Sequence, residues 1–323
     1  FLPLAAFLIQ IFYGKRLPRQ GDWVSISAIS ITLVLSIAMF VAMLLDYDPN
    51  FRQEAGFTWL DMGSFSIELG FLVDNITMIM LLIVALISTC SHVFSLKYME
   101  GDIRYSRYFA YLGLFTFSMN GIVLANNLIS MYMFWELVGV SSYLLIGHWF
   151  EKDSAADAAK KAFLTNRVGD IGFFIGIMLI YTGIGSFTFS HIFDGVANNM
   201  LSGTILTLAG VGLFMGAMGK SSQFPLHIWL PDAMEGPTPV SALMHAATMV
   251  AAGVYMSVRL FPLFTPDALL VIAYIGGFTA IFAASIAMTQ DDIKKVLAYS
   301  TVSQLGYMIL AVGTGVYTIA FFH

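Results

Sequence analysis

Charge is what this chain has least of. Asp, Glu, Lys and Arg make up 11% of its 323 residues, less than half the roughly 25% found in soluble domains. That excludes a soluble globular domain. The formal net charge of −5 and a pI near 5.6 argue against nucleic acid as a partner. Cysteine is nearly absent too: the single Cys90 cannot build a disulfide framework or a cysteine-based metal site. Set in an apolar segment, it reads as a buried structural thiol. There is no glycine-rich phosphate loop, no dinucleotide fingerprint and no metal-spaced His/Cys set. The chain is therefore expected to carry no cofactor or metal, and electrons of any redox reaction travel elsewhere. No basic leader precedes the first apolar run, Phe1 to Tyr13, and no small-residue cleavage site follows it. The run is short of the ~20 residues of a full span and reads as a truncated first helix. Ala320 to His323 start a new apolar segment, so further helices are expected beyond them.

What is abundant is hydrocarbon. Hydrophobic residues make up 58% of the chain and mean hydropathy is +0.81. Apolar segments at 22–45, 71–95, 108–126, 128–149, 161–182, 200–222, 238–260, 266–288 and 293–312 are each about long enough to cross a bilayer. With the first fragment they predict ten spans in an all-α, polytopic membrane helical bundle in contact with lipid. Alternate loops divide the basic residues unevenly. Lys15, Arg16, Arg19, Lys97, Arg104, Arg107, Lys152, Lys160, Lys161, Lys294 and Lys295 fall on one side, and only Arg52 and Arg259 on the other. Positive residues stay inside, which puts the N-terminus outside. The acidic outer loop, residues 46–70, has short alternating pieces that can pair as a hairpin.

Two basic residues are left within the spans, and one of them lies in the stretch from Leu213 to Met249. Pro225 and Pro231 there predict a helix that breaks near Lys220. A charge in a span costs at least ~2.5 to 3.5 kcal/mol on insertion scales and usually marks an ion path. Broken helices beside buried charge are how transporters build ion sites. A snorkelling lysine reaching the inner surface is the plain alternative. Tyr132, Glu136, Gly139 and Tyr143 recur at helical spacing, with Met131, Phe134, Leu144 and Leu145 facing away. Glu136 stands near mid-bilayer, where it either exchanges protons or, held neutral, only bonds helices together. Arg167 and Asp170, three apart, are placed to neutralise one another, as a structural pair or in a proton role. Gly172 and Gly176 suit close helix contact. Ser241, His245 and Thr248 form a second polar stripe on one helix, where a histidine can pass a proton either way. His92 and His148 read as interfacial packing. Ser300, Ser303, Gln304 and Tyr307 either line a wet path or bond helices.

Long motifs run through these positions: Phe134 to Gly139, Ser142 to Gly147, Lys161 to Phe163 with Asn166 to Asp170, Gly219 to Ser221, Leu230 to Met234, Gly236 to Leu243 with His245 to Met249, and Asp292 to Thr301. They resemble the proton-translocating antiporter-like family, most closely the subunit L type of NADH-quinone oxidoreductase, complex I. The resemblance covers essentially the whole chain. It implies inverted five-helix repeats, each with a broken helix. Residues 1–107 would be N-terminal helices with the acidic loop, 108–260 the first repeat, and 261–323 the start of a truncated second one. It implies that Glu136 is the essential glutamate, Lys220 the broken-helix lysine, His245 the central-axis histidine, and Asp170 a support for Lys220, with Arg167 beside it. Quinone reduction in a distant arm would make Glu136 and Lys220 approach or separate, and a proton would pass from Lys220 through His245 to the second repeat. The implied partners are other complex I membrane subunits, above all the adjacent antiporter-like one. FMN and iron-sulfur clusters are expected in partner subunits. The implied location is the bacterial inner membrane, with a plastid source left open. A subunit of a multi-subunit sodium/proton antiporter, a membrane partner of an inorganic-carbon uptake complex, and an inert scaffold are the other readings.

Overall fold

A computed structural model describes residues 1–63, 66–246 and 248–323. Among them, helices dominate: α1 (Leu2–Tyr13), α2 (Asp22–Leu45), α3 (Asn75–Tyr98), α4 (Tyr105–Leu124), α5 (Leu128–Ile146), α6 (Asp153–Ile184), α7 (Phe189–Ala197), α8 (Gly203–Lys220), α9 (Thr238–Ala246), α10 (Met249–Arg259), α11 (Pro266–Ala287), α12 (Ile293–Gly313) and α13 (Tyr317–Phe322). Eight helical segments are long and apolar enough to cross a membrane. Of the ten predicted spans, α1 and α4 are not among the eight. Helix α1 has only 12 residues. Helix α4 is walled in by protein, with Tyr108, Phe109, Leu112 and Phe115 fully buried, and a helix shielded from lipid can be less apolar.

The acidic loop forms the expected hairpin. Strands β1 (Arg52–Asp61) and β2 (Ser66–Asp74) pair antiparallel, Arg52 opposite Asp74 and Gly56 opposite Gly70. The second strand runs on through Phe71 to Asp74, so the third span starts at Asn75 instead of residue 71. Asp74 caps it by accepting from the Thr77 N–H at 2.9 Å. Asn126 donates to Glu54 at 3.1 Å and Asn127 to the Glu68 carbonyl at 2.8 Å, which ties the hairpin to the α4–α5 turn. The Asn126 side chain fills the place where a Cβ at Gly70 would sit.

Helices α6 and α8 cross at backbone contact. A Cβ on Gly176 would lie 2.7 Å from the Leu213 nitrogen, and one on Gly212 would lie 2.9 Å from the Gly172 carbonyl oxygen. The Gly172/Gly176 pair therefore packs as expected, and Gly169 against Gly219 extends the seam. Gly276 and Gly306 seat α11 on α12 in the same way. Ser303 donates to the Ala280 carbonyl at 2.8 Å and is helix glue, whereas Ser300, Gln304 and Tyr307 lie on the exposed face of α12. Cys90 is exposed on α3, not buried. Composition makes a span apolar on every side and does not say which side meets other helices. Helix α6 begins at Asp153, eight residues before the predicted start, because the alanine-rich run after it is helical although too polar for lipid.

Candidate functional site

The site is built around the end of α8. The Gln223 N–H donates to the Met218 carbonyl at 2.9 Å and the Ser222 N–H to Gly219 at 3.2 Å, with Ser222 at φ +49°. This is a Schellman cap with serine in the left-handed position that glycine usually takes. The Trp229 indole adds a second donor to the Gly219 carbonyl at 3.0 Å, so carbonyls left open by the helix end are satisfied. The helix thus stops at Lys220, before Pro225, whose bond to Phe224 is cis. Two 3₁₀ turns, Leu226–Trp229 and Asp232–Glu235, carry the chain to α9.

Lys220 is 1% exposed, which rules out a lysine that snorkels to the surface. Its ammonium lies 3.8 Å from Asp170 Oδ2 on α6 and 6.0 Å from the Trp135 ring centroid on α5. Gly139 of α5 lets it in: a Cβ there would stand 2.8 Å from Nζ. Asp170 is buried as well, and its Oδ1 accepts from the Trp135 indole N–H at 2.7 Å. Gly139 is seven residues, or roughly 10 Å, from the C-terminal end of α5. The pair is therefore well inside the bilayer.

Arg167 and Asp170 do not pair with one another. Arg167 donates to Glu136 Oε1 at 2.7 Å, while Asp170 turns to Lys220. Three residues advance a helix by about 300°, and the remaining offset is enough to aim two side chains at different neighbours. Glu136 is thus held by Arg167, reached by the Tyr132 hydroxyl, and acts on Lys220 only through its field. The Glu136–Arg167 pair is partly open, at 18% and 38% exposure. Tyr143 lies outside the cluster, 39% exposed and stacked edge-on against Phe163. Met131 and Leu145, expected to face away, are fully buried in the protein core.

His245 is in α9, 5% exposed, with its ring centroid 6.1 Å from that of Trp229. Lys220 Nζ, Ser241 Oγ and both His245 ring nitrogens are buried without a hydrogen-bond partner among the described residues. Buried polar groups of this kind are usually met by ordered water. Thr248 does not continue the Ser241/His245 stripe. It lies between α9 and α10, and its hydroxyl donates to the Leu243 carbonyl at 2.5 Å. His92 bonds the Ser88 carbonyl at 2.7 Å, and His148 faces Asp102 at 3.3 Å, so both have structural partners. Beneath the break, on the side of the basic loops, lies an open cavity of about 630 Å³ lined by Lys152, Lys161, Asp232, Glu235 and Lys294, among others. Lys161 and Asp232 pair there at 2.5 Å. No group of three or more metal-ligating side chains occurs among the described residues.

Sequence reasoning missed Trp135, which touches both members of the Lys220–Asp170 pair, and Trp229, which links the end of α8 to His245. The available signal was position: Trp135 precedes Glu136 by one residue and lies one turn before Gly139.

A many-span helical bundle with a dry lysine at a capped helix break, facing a carboxylate on the next helix, has the layout of an ion-translocating membrane protein. The chain belongs to the NADH:quinone oxidoreductase/Mrp antiporter membrane family, whose profile matches residues 125–323. The profile of the complex I (NADH-ubiquinone oxidoreductase) chain 5 N-terminus matches residues 59–109. Among curated relatives, the chloroplastic NAD(P)H-quinone oxidoreductase subunit 5 of Anthoceros angustus is 49% identical over 92% of this chain and 42% of its own length. NAD(P)H-quinone oxidoreductase chain 5 of Synechocystis sp. is 47% identical over 92% and 45%. The chain spans about half the length of these relatives. Among solved structures, the Mrp complex from Dietzia sp. DQ12-45-1b superposes with a TM-score of 0.85 at 27% identity, over 97% of this chain and 33% of that one. The archaeal membrane-bound sulfane sulfur reductase shares the fold, with a TM-score of 0.85 at 21% identity, over 99% and 66%.

Proposed function

We propose that the chain is the first half of a proton-translocating membrane-arm subunit of an NADH- or NAD(P)H-quinone oxidoreductase, in which Lys220 is the switched group. The observation that carries this reading is the Lys220 ammonium itself: dry, at a helix break, without a hydrogen bond, and facing one carboxylate at 3.8 Å. Residues 108–260 are taken as the first antiporter-like repeat and 261–323 as the start of the second. FMN and iron-sulfur clusters belong to partner subunits. The uneven sharing of basic residues between alternate loops supports an N-terminus outside; the bacterial inner membrane is the location first expected, while the chloroplastic and cyanobacterial relatives favour a plastid or cyanobacterial membrane as much.

On this reading the relay has an order. Glu136 and Asp170 are the two negative charges that face Lys220. Protonation of Glu136, or its withdrawal with Arg167, removes one of them. The ammonium then gives a proton to water leading to His245, whose free ring nitrogen accepts it. Return of the Glu136 charge favours reprotonation of Lys220 from the inner cavity. Arg167, 38% exposed at mid-span, cannot face lipid without a large cost. The α5–α6 face is therefore assigned to the adjacent antiporter-like subunit. The test is Lys220→Ala in the full-length protein, in membranes oxidising NADH. Loss of proton translocation is expected, and wild-type rates of both translocation and electron transfer would refute the switch. A second reading, sodium/proton antiport in an Mrp-type complex, is favoured by the structural likeness to that complex. Sodium-dependent antiport without NADH oxidation would select it.

A further inference from the structure

At the inner ends of α4, α5 and α6, away from the relay, lies a pocket of about 240 Å³. Its basic lining is Arg104, Arg107, Lys160 and His148, and no carboxylate lines it. We propose that this pocket binds the phosphate-bearing headgroup of an anionic membrane lipid.

Three features define the ligand. The first is unbalanced positive charge. Arg104 is held by Glu151 and stands 4.3 Å over the Phe150 ring, and Lys160 has a screened partner in Asp157 at 3.2 Å. Arg107 is exposed and makes no ion pair or hydrogen bond with any described residue. The second is the presence of neutral donors. Tyr111 and Tyr143 line the same pocket, and a tyrosine hydroxyl is a donor of the kind that suits a phosphate's remaining oxygens. The third is depth. Helix α4 starts at Tyr105, α5 ends at Ile146 and α6 starts at Asp153, so the pocket sits at the headgroup level of the basic side. Phe150 and Leu144 are on its wall, and Phe150 is 53% exposed, so acyl chains have apolar surface directly beside the charge. Basic pockets between spans on this side of a membrane are suited to acidic headgroups. A soluble phosphate would use the cations and leave the apolar wall unused.

The test uses the full-length protein in its purified complex, delipidated and titrated with vesicles of phosphatidylglycerol or phosphatidylcholine while thermal stability and retained lipid are measured. Phosphatidylglycerol is expected to bind and stabilise the wild type, and phosphatidylcholine is not. Attraction of about one kcal/mol per basic residue corresponds to about fivefold in affinity, so Arg107→Gln with Lys160→Gln should weaken binding about thirtyfold. Arg107→Lys, which keeps the charge, should retain most of it. The assignment is overturned if both lipids bind alike, or if the double variant binds phosphatidylglycerol as the wild type does. It is also overturned if inorganic phosphate or glycerol phosphate stabilises the delipidated protein equally, or if cross-linking places a carboxylate of a neighbouring subunit on Arg107. None of these outcomes touches Lys220, so the pocket and the relay stand or fall separately.

Discussion

Replacing Asp170 with asparagine isolates one charge. The two side chains have nearly the same shape, and the asparagine oxygen can still accept from the Trp135 indole, as Asp170 Oδ1 does at 2.7 Å. What changes is the face toward Lys220, where an anion 3.8 Å from the ammonium becomes an amide. At an effective dielectric of about 20, two charges at that separation attract by about 4 kcal/mol. Breaking a buried pair from one side typically costs about 3 to 5 kcal/mol, because the remaining charge is stranded. Asp170→Asn is therefore expected to destabilise the full-length complex by about 3 kcal/mol while Lys220 is present. In a Lys220→Met background the same change should cost under about 1 kcal/mol. A double-mutant cycle on denaturant unfolding reads the difference directly. Proton translocation should be lost in both single variants. A coupling below about 1 kcal/mol would show that the pair is no stronger than a surface contact, and the dry-switch reasoning would fail.

Gly139→Ala puts a Cβ 2.8 Å from the ammonium, so translocation should fall while stability drops by no more than about 1 kcal/mol, since a lysine head can move aside; flux and melting temperature of the same preparation check both halves. Gly176→Ala should cost more stability than Gly172→Ala, because the first meets backbone at Leu213 and Ala209, whereas the second meets Met215 at its Cβ, which is rooted, and at its Sδ and Cε, which can turn aside. Paired thermal melts give the order, and the reverse order would contradict it. At the end of β2, burial alone would raise the Asp74 carboxyl, but hydrogen bonds and charge from Arg259, with help from Thr77, hold it below its ordinary 3.8. A lowered carboxyl stabilises above its unfolded value and loses that contribution only as pH falls through the folded one. Protection of β2 and the start of α3, taken as hydrogen exchange relative to the intrinsic rate at each pH, should therefore be unchanged from neutral pH down to 3.8 and fall below it, whereas loss of protection well above 3.8 would contradict the Asp74–Arg259 clasp.

The spans, the hairpin and the glycine seam were legible because each rests on local pattern: apolar length, alternation and small residues a turn apart. Lys220 was legible because a charge in a long apolar run beside several prolines has few readings. Partner choice was not. The i, i+3 spacing of Arg167 and Asp170 fits a mutual pair, and only the positions of α5 and α8 send them to Glu136 and Lys220. The bend at Thr248 before α10 involves neither proline nor glycine, so the sequence does not announce it. Trp135 looked like hydrocarbon, and its indole N–H matters only because Asp170 lies opposite. Cys90 and the length of α6 failed for a related reason: hydropathy reports what a segment tolerates, while exposure and helix ends depend on its neighbours.

If Lys220 is the switched group, as proposed, the arrangement of the charges limits how it can move. Helix α6 carries the anion of one pair and the cation of the other, Asp170 and Arg167, and is fixed to α8 by backbone contacts at Gly169–Gly219 and Gly176–Gly212. Drawing α6 from α8 would open that seam along several turns, so the Lys220–Asp170 distance is not set by rigid separation of these helices. The Glu136–Arg167 pair has no such clamp. It is partly open, on the face assigned to the next subunit, and its two side chains are long enough to separate while the helices stay in place. Under the proposed relay, a signal from the adjacent subunit would act first on Glu136 and Arg167. It would reach Lys220 as a change of field across a fixed seam, with Trp135 holding Asp170 in position.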